Sequence, residues 1–385
     1  NQQFTLRFFA DVTLLDTEYF WLLIAVLLPL AFVLYPARAG RQLDHVPWHD
    51  VLLFAAASGL SLLWAWTARE AAGNGWEYAA PSVAPAWMVW AAVASWVLVL
   101  EALRRAGGLA LLVIMGLFSL FPLYSALMPA PLTAPSVSLL DAASFHIFSR
   151  ESVLGIPMRA FAELVIGFLV FGTALQYTGA GTFFINFAFA LCGHYRGGAA
   201  KVAIFSSGLL GSMSGSVISN VLTTGTMTIP AMKRTGMKAA TAGAVEACAS
   251  TGAVLAPPVM GATAFVMAEF LDIPYAQVAL AAAVPAVLYY FALFMQIDAN
   301  AARNGLVGLP RHELPKIGRV FREGWYFIFV IILLVVLLLV MKRENWAPWL
   351  ATALLLVLNQ LFSPQRWGRR EVLAFLEGNG RVFVE

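Results

Sequence analysis

The chain has 385 residues, of which 61% are hydrophobic and only 12% carry a charge. Soluble domains average about 45–50% apolar and about 25% charged residues, so a chain of two or three soluble domains is excluded. The net charge of +3 is small, and the basic residues fall in short loops, which argues against a nucleic-acid surface.

In chain order, uncharged apolar runs predict spanning helices over 19–35, 51–67, 86–103 and 107–127. A proline-rich polar connection follows at 129–152. Next come a helix over 156–176, a short apolar segment at 183–192, a polar stretch at 202–232 and a broken helix over 239–271. The last spans are expected over 276–296, 325–341 and 346–362, and a charged amphipathic stretch ends the chain at 366–385. Asn1 is not an initiator Met, nothing near it reads as a cleavable signal, and upstream sequence is expected. Cys192 and Cys248 lie in separate segments without metal-like or redox spacing.

Loop charge tests this map, because short cytoplasmic loops concentrate Lys and Arg. Arg38 and Arg41 follow the first helix, and Arg104 and Arg105 follow the third. Glu70 and Glu77 against Arg69 mark an outside loop after the second. Later clusters are Arg196/Lys201, Lys233/Arg234/Lys238, Arg303/Arg311/Lys316/Arg319/Arg322 and Arg366/Arg369/Arg370. All of these share one side only if 202–232 enters and leaves the membrane on that side. Lys342 and Arg343 are the exception, offset in part by Glu344. As one straight helix the 202–232 segment would be about 46 Å long, against a hydrocarbon core of about 30 Å. A hairpin folded at 211–215, each arm reaching about halfway, satisfies charge and length together. The segment at 183–192 is too short to span and is placed in the interface as an amphipathic arm.

Ser206 to Pro230 reads SSGLLGSMSGSVISNVLTTGTMTIP. Hydroxyl residues beside glycine let carbonyls turn inward toward a hard cation. The start of the returning half-helix, near Ser216 and Asn220, offers N–H groups to an anion. Gly211 and Gly215 also form a GxxxG, which on its own reads as helix packing. A second break comes at Pro257-Pro258, with Ser250-Thr251-Gly252 upstream. Its freed carbonyls, facing the hairpin tip, would complete a cation cage; the plainer reading is a proline kink. Glu246 lies inside this helix, where a carboxylate is costly. It reads equally as a cation or proton site and as a structural acceptor. Glu163 resembles it but sits nearer a helix end. His45 and His49 beside Asp44 and Asp50 read as a solvated loop cluster rather than a metal site. No Walker-type loop, dinucleotide fingerprint, GxSxG elbow or HExxH is present, so the chain is not itself an ATP-driven pump.

The run LCGHYRGGAAKVAIFSSGLLGSMSGSVISNVLTTGTMTIPAMKRTGM, followed by AGAVEACASTGAVLAPPVMGATAFVMAEF, resembles the large membrane subunit of TRAP transporters. It is most similar to the TAXI subgroup, in which small and large membrane subunits are fused. The match is strong over about 155–310 and looser before it. The resemblance implies an all-α polytopic permease of the bacterial or archaeal cytoplasmic (inner) membrane, not an enzyme. It implies Na⁺ coupling, an elevator mechanism, and a small organic anion, expected to be a carboxylate, delivered by a periplasmic TAXI-type substrate-binding protein. The lipid bilayer is the other partner. Carried over, Na⁺ ligands fall on Ser214, Gly215, Ser216, Asn220, Ser250 and Gly252. Substrate contacts fall on Ser212, Ser214 and Thr223, and Glu246 stands as an intramembrane carboxylate.

The implied division is a four-helix small-subunit-like scaffold at 1–128, a connection at 129–154, and a first helix with interfacial arm at 155–200. The re-entrant hairpin follows at 201–236, the discontinuous helix at 237–272, and further helices at 273–385. One departure matters. The family's large subunit is an inverted repeat with two hairpins, and the chain ends at Glu385 before a second one. It is expected to be either a piece of a longer protein or a truncated form showing the first half of the repeat. A membrane-embedded enzyme using Glu246 and a non-transporting scaffold subunit are the alternatives.

Overall fold

The structure is a computed structural model that describes residues 14–37, 46–76, 83–363 and 366–384. Arg38, Arg41, Asp44, His45 and Glu77, used in the charge map, lie outside the described residues. Among those described, all regular structure is helical, as expected for a polytopic membrane protein. Six helices there are long and apolar enough to cross a membrane: Asp16–Leu34, Trp48–Gly73, Ala86–Leu127, Ile156–Tyr177, Tyr275–Arg303 and Ile317–Val340. Ala347–Phe362 is apolar but shorter.

The chain divides into two compact units between Ala162 and Glu163. The first unit packs around aromatic side chains: Trp21, Trp64, Trp76, Trp96 and Phe148 are buried together. The buried indole N–H of Trp64 finds its acceptor in Ser95 Oγ at 2.9 Å. Two expectations change here. The third and fourth predicted helices form one helical run, Ala86–Tyr124, broken at Gly108, whose φ of 80° only glycine adopts readily. Asp50, expected in a solvated cluster, is buried and lies 2.8 Å from the equally buried Arg105, which also reaches Glu101 at 2.8 Å. A guanidinium withdrawn from water needs a counter-charge, and Asp50 supplies it. The 129–152 connection also holds a helix, Leu139–Phe148, started by Ser138, whose hydroxyl accepts the Asp141 amide at 3.2 Å.

In the second unit, Ala180–Cys192 buries Phe183 and Phe184, and Phe183 lies against Phe327 with ring centroids 5.3 Å apart. The polar stretch is a helical hairpin with arms Gly198–Ser214 and Val217–Arg234. The broken helix is two pieces, Ala239–Ala253 and Ala262–Leu271. At the base of the hairpin, Ala199, Ala200 and Ala203 of the first arm, Met232 of the second, Ala242, Val245 and Ala249 of the next helix, and Ile297 and Ala301 of Tyr275–Arg303 share one core. Small side chains at this contact let four helices approach closely.

Charge closes the base. Lys201, itself buried, donates to Asp298 at 2.5 Å, and Arg196 pairs with the same carboxylate. On the other arm Arg234 reaches Glu313 at 2.9 Å. Lys201 is therefore a paired residue of the first arm rather than a free loop charge. Outside the spans, the Asp298 carboxylate holds the Arg196 guanidinium above its usual pKa. Burial pushes Glu344 above the ordinary carboxylate range, although it accepts the Tyr275 amide at 2.8 Å at the start of the helix Tyr275–Arg303.

Candidate functional site

The hairpin turns at Gly215 and Ser216, at the C-terminal end of the tip expected over 211–215. The first arm stays helical through Ser214, and Gly215 takes φ 64°. Arms of 17 and 18 residues are about 26 Å long, against a hydrocarbon core of about 30 Å. Ser216 caps the second arm by accepting the Ser219 amide at 3.3 Å. Part of the N–H supply expected there is thus already used. Gln176, from the helix Ile166–Tyr177, donates to Ser219 Oγ at 2.5 Å and fixes the tip from the side.

Gly211 and Gly215 serve close approach. A Cβ on Gly211 would stand 2.2 Å from the Ala253 Cβ and 2.4 Å from Asn220 Nδ2. One on Gly215 would stand 2.4 Å from the Met260 carbonyl oxygen. The break between the two half-helices lies against this tip. Ser212 O accepts the amides of Val259 at 3.1 Å and Met260 at 3.3 Å. Met260 holds a φ of 60°, a left-handed conformation that a non-glycine residue keeps only when its surroundings impose it. The carbonyls of Pro258 and Val259 face the Tyr275 hydroxyl, at 2.9 and 2.6 Å. The loop therefore offers the hairpin two amides and the Met260 carbonyl. The Pro258 carbonyl answers a buried tyrosine, and the Ala253 and Val254 carbonyls freed by the proline pair accept the Ala256 and Gly261 amides at 3.1 and 3.0 Å.

Deeper, the two arms and the helix Ala239–Ala253 meet at Glu246, which is 0% exposed. Four hydroxyls surround its carboxylate. Ser207 donates to Oε1 at 3.0 Å, Ser250 to Oε1 at 3.3 Å and Thr228 to Oε2 at 2.5 Å, and Thr224 reaches Oε1 as well. Asn220 sits one turn above Thr224. Its Nδ2 donates to the Ser207 carbonyl at 3.0 Å, and its buried Oδ1 has no hydrogen-bond partner. An orphaned buried acceptor costs about 1–3 kcal/mol, which a hard cation at this oxygen would recover.

The sequence-predicted residues fall in three places. Asn220 and Ser250 converge on the Glu246 cluster. Ser212, Ser214, Gly215 and Ser216 form the tip; Ser212 Oγ turns back to the Leu209 carbonyl at 3.0 Å, and Ser214 is half-buried. Thr223 lies on another face of the second arm, its hydroxyl on the Ser219 carbonyl at 2.8 Å. Gly252 packs against the Tyr289 ring, 2.3 Å from where its Cβ would be. Tyr289 and Tyr290 tie this helix to Tyr275–Arg303 through the Cys248 and Ala249 carbonyls, at 2.9 and 3.0 Å. Sequence reading counted Ser207, Thr224 and Thr228 among the hydroxyls but did not join them to Glu246. The signal was available, because Asn220, Thr224 and Thr228 recur every four residues and so line one helix face. Glu163 lies in a π-turn, Phe161–Val165, and is half-buried.

A hairpin free of charge from 202 to 232, bound to an interrupted helix in a chain with six apolar helices of crossing length, defines a multi-pass membrane protein with a buried polar centre. The chain belongs to the family described as Tripartite ATP-independent periplasmic transporter, DctM component, whose model matches residues 94–385. That family is one of transporter permeases rather than enzymes, which removes the membrane-enzyme alternative and places the chain in the inner membrane. Over 205 residues the chain is 27% identical to the C4-dicarboxylate TRAP transporter large permease protein DctM of Pseudomonas aeruginosa, covering 51% of this chain and 48% of that protein. Over 172 residues it is 28% identical to the sialic acid TRAP transporter permease protein SiaT of Haemophilus influenzae, covering 44% of this chain and 28% of that protein. The chain thus spans about half the length of the first and under a third of the second.

Proposed function

We propose that this chain is the membrane permease of a Na⁺-coupled secondary transporter that imports a small organic anion, a carboxylate, delivered by a periplasmic substrate-binding protein of the TAXI type. In this reading residues 1–128 are a fused small-subunit-like scaffold. The hairpin-bearing body carries the substrate across by an elevator motion. Membership of the permease family supports the transport reading. So do the relatives, one named for C4-dicarboxylates and the other for sialic acid, both of which are organic acids.

The observation that carries the cation assignment is the unpartnered Oδ1 of Asn220, buried beside the Ser250 hydroxyl cluster and below the tip. The donor set fits Na⁺: a carboxamide oxygen, serine hydroxyls and tip carbonyls, all hard oxygen ligands at an interrupted helix. Asn220 and Ser250 would hold the ion with Ser214, Gly215, Ser216 and Gly252. Ser212, Ser214 and Thr223 are assigned to the substrate carboxylate. An anion at the tip gains from the start of the second arm, where the helix dipole is positive.

The test is uptake into proteoliposomes with the purified binding protein, with and without an inward Na⁺ gradient. Ser214→Ala is expected to lower Na⁺-dependent uptake and weaken Na⁺ affinity. Uptake indifferent to Na⁺ refutes the coupling. Unchanged uptake and affinity in Ser214→Ala remove that residue from the site.

A further inference from the structure

Glu246 is fully buried, and among the described residues none of the ion pairs includes it. An uncompensated carboxylate at such a position is expensive, and hydroxyl dipoles lower the cost without supplying a positive charge. Ser207, Ser250, Thr224 and Thr228 are all hydroxyls, and the nearest buried cation of the hairpin, Lys201, is committed to Asp298. The positive charge must come from a bound proton or a bound cation, and the orphaned Asn220 Oδ1, on the same helix face as Thr224, favours the cation.

The same carboxylate is linked to Asn220 through Ser207 and Thr224. Ser207, which donates to Glu246 through its hydroxyl, receives the Asn220 Nδ2 on its carbonyl at 3.0 Å. Thr224, which also touches Glu246, lies 2.8 Å from the Asn220 carbonyl and 3.0 Å from Ser207 Oγ. The carboxamide is thereby held with one N–H on the Ser207 carbonyl and its oxygen without a hydrogen-bond partner. Gly225 permits the approach, since a Cβ there would stand only 3.2 Å from Glu246 Cγ.

We propose that Glu246 is a positioning residue for the cation site: it supplies the buried counter-charge and, through Ser207 and Thr224, keeps Asn220 Oδ1 turned toward Na⁺. The inference rests on the Na⁺ reading given above. It differs from a plain structural brace in one respect. Glutamine has the shape of glutamate: its oxygen can still accept from Ser207, Thr224 and Ser250 while its NH2 donates to the Thr228 hydroxyl, so it serves as a brace but not as a charge.

The experiment measures Na⁺ affinity of the purified full chain directly, by the rise in melting temperature on titrating NaCl against choline chloride at constant ionic strength. Wild type showing no Na⁺-specific rise overturns the cation site itself, and this inference with it. With wild type responding, Glu246→Gln is expected to weaken the Na⁺ midpoint at least tenfold (about 1.4 kcal/mol). Glu246→Asp, which keeps the charge, is expected to fall between them. A Glu246→Gln protein that melts lower but keeps the wild-type Na⁺ midpoint is a brace only, and the proposal fails. If Glu246→Gln yields no folded protein, Thr224→Val decides: a midpoint at least threefold weaker supports the proposal, and an unchanged midpoint overturns it.

Discussion

Gly211 offers the sharpest test of the packing that builds the site. A Cβ there would lie 2.2 Å from the Ala253 Cβ, 2.4 Å from Asn220 Nδ2 and 3.0 Å from Asn220 Cγ. Carbon atoms rest about 3.5–4.0 Å apart, so the alanine variant must push the helix Ala239–Ala253 away by about 1.5 Å or turn Asn220 out. Ala253 Cβ has no rotamer to escape through, and overpacking of this kind costs typically 1–3 kcal/mol. Against this stands a helix-propensity gain of up to about 1 kcal/mol for replacing glycine with alanine. The net expectation is a loss of about 1–2 kcal/mol, together with weaker Na⁺ binding because Asn220 is the displaced neighbour. Gly243 is the internal control. It lies in the same helix as Ala253 and a Cβ there meets nothing within 4 Å, so Gly243→Ala is expected to be neutral or slightly stabilising. The assay is thermal unfolding of both purified variants in detergent, each with Na⁺ or choline. A Gly211→Ala protein that melts with Gly243→Ala and keeps the wild-type Na⁺ response would refute the packing argument.

Tyr275→Phe is expected to destabilise by about 1–2 kcal/mol, because the Pro258 and Val259 carbonyls lose the hydroxyl that faces them; unfolding curves measure this. In the first unit, Asp50→Ala is expected to strand Arg105 without its buried partner and lower the melting temperature. A milder effect for Asp50→Ala paired with Arg105→Met would mark the stranded charge as the cause. Glu344 sets a pH dependence. Its native pKa lies above the ordinary value, so the native state binds the proton more tightly than the unfolded chain. Its contribution is therefore greatest at low pH and is lost as pH rises through the raised pKa. Glu344→Gln should flatten that part of the melting-temperature profile, and a profile identical to wild type would count against the burial argument.

Much of the membrane map was legible because it rests on long-range averages. Apolar run length located the helical hairpin and the helix Tyr275–Arg303, and the Pro257-Pro258 pair located the interruption, each close to its observed bounds. What escaped depended on a single local geometry. Gly108 breaks a run that stays helical on both sides, so composition alone divided it into two separate helices. Ser138 and Asp141 form a capping box inside what read as a proline-rich loop. At the site, hydroxyl density pointed to the right stretch but not to the right partners. Which hydroxyls turn inward depends on helix phase, and Thr224 and Thr228 point to Glu246 while Thr223, one residue away, does not. Asp50 was misread because its partner, Arg105, is far along the chain, and no local pattern announces that pairing.

The seam between the hairpin tip and the interrupted helix is made of main-chain atoms: the Ser212 carbonyl with the Val259 and Met260 amides, and the Met260 carbonyl against Gly215. A seam of this kind is blind to side-chain identity. Its hydrogen bonds do not depend on which apolar side chains stand at 259 and 260, so an alanine scan there would register the lost burial of Val259 and Met260 and not the seam itself. Removing one N–H with proline, or replacing one amide with an ester, would open it directly. Divergent chains could therefore change the side chains around the tip while keeping the joint between the hairpin and the interrupted helix unchanged.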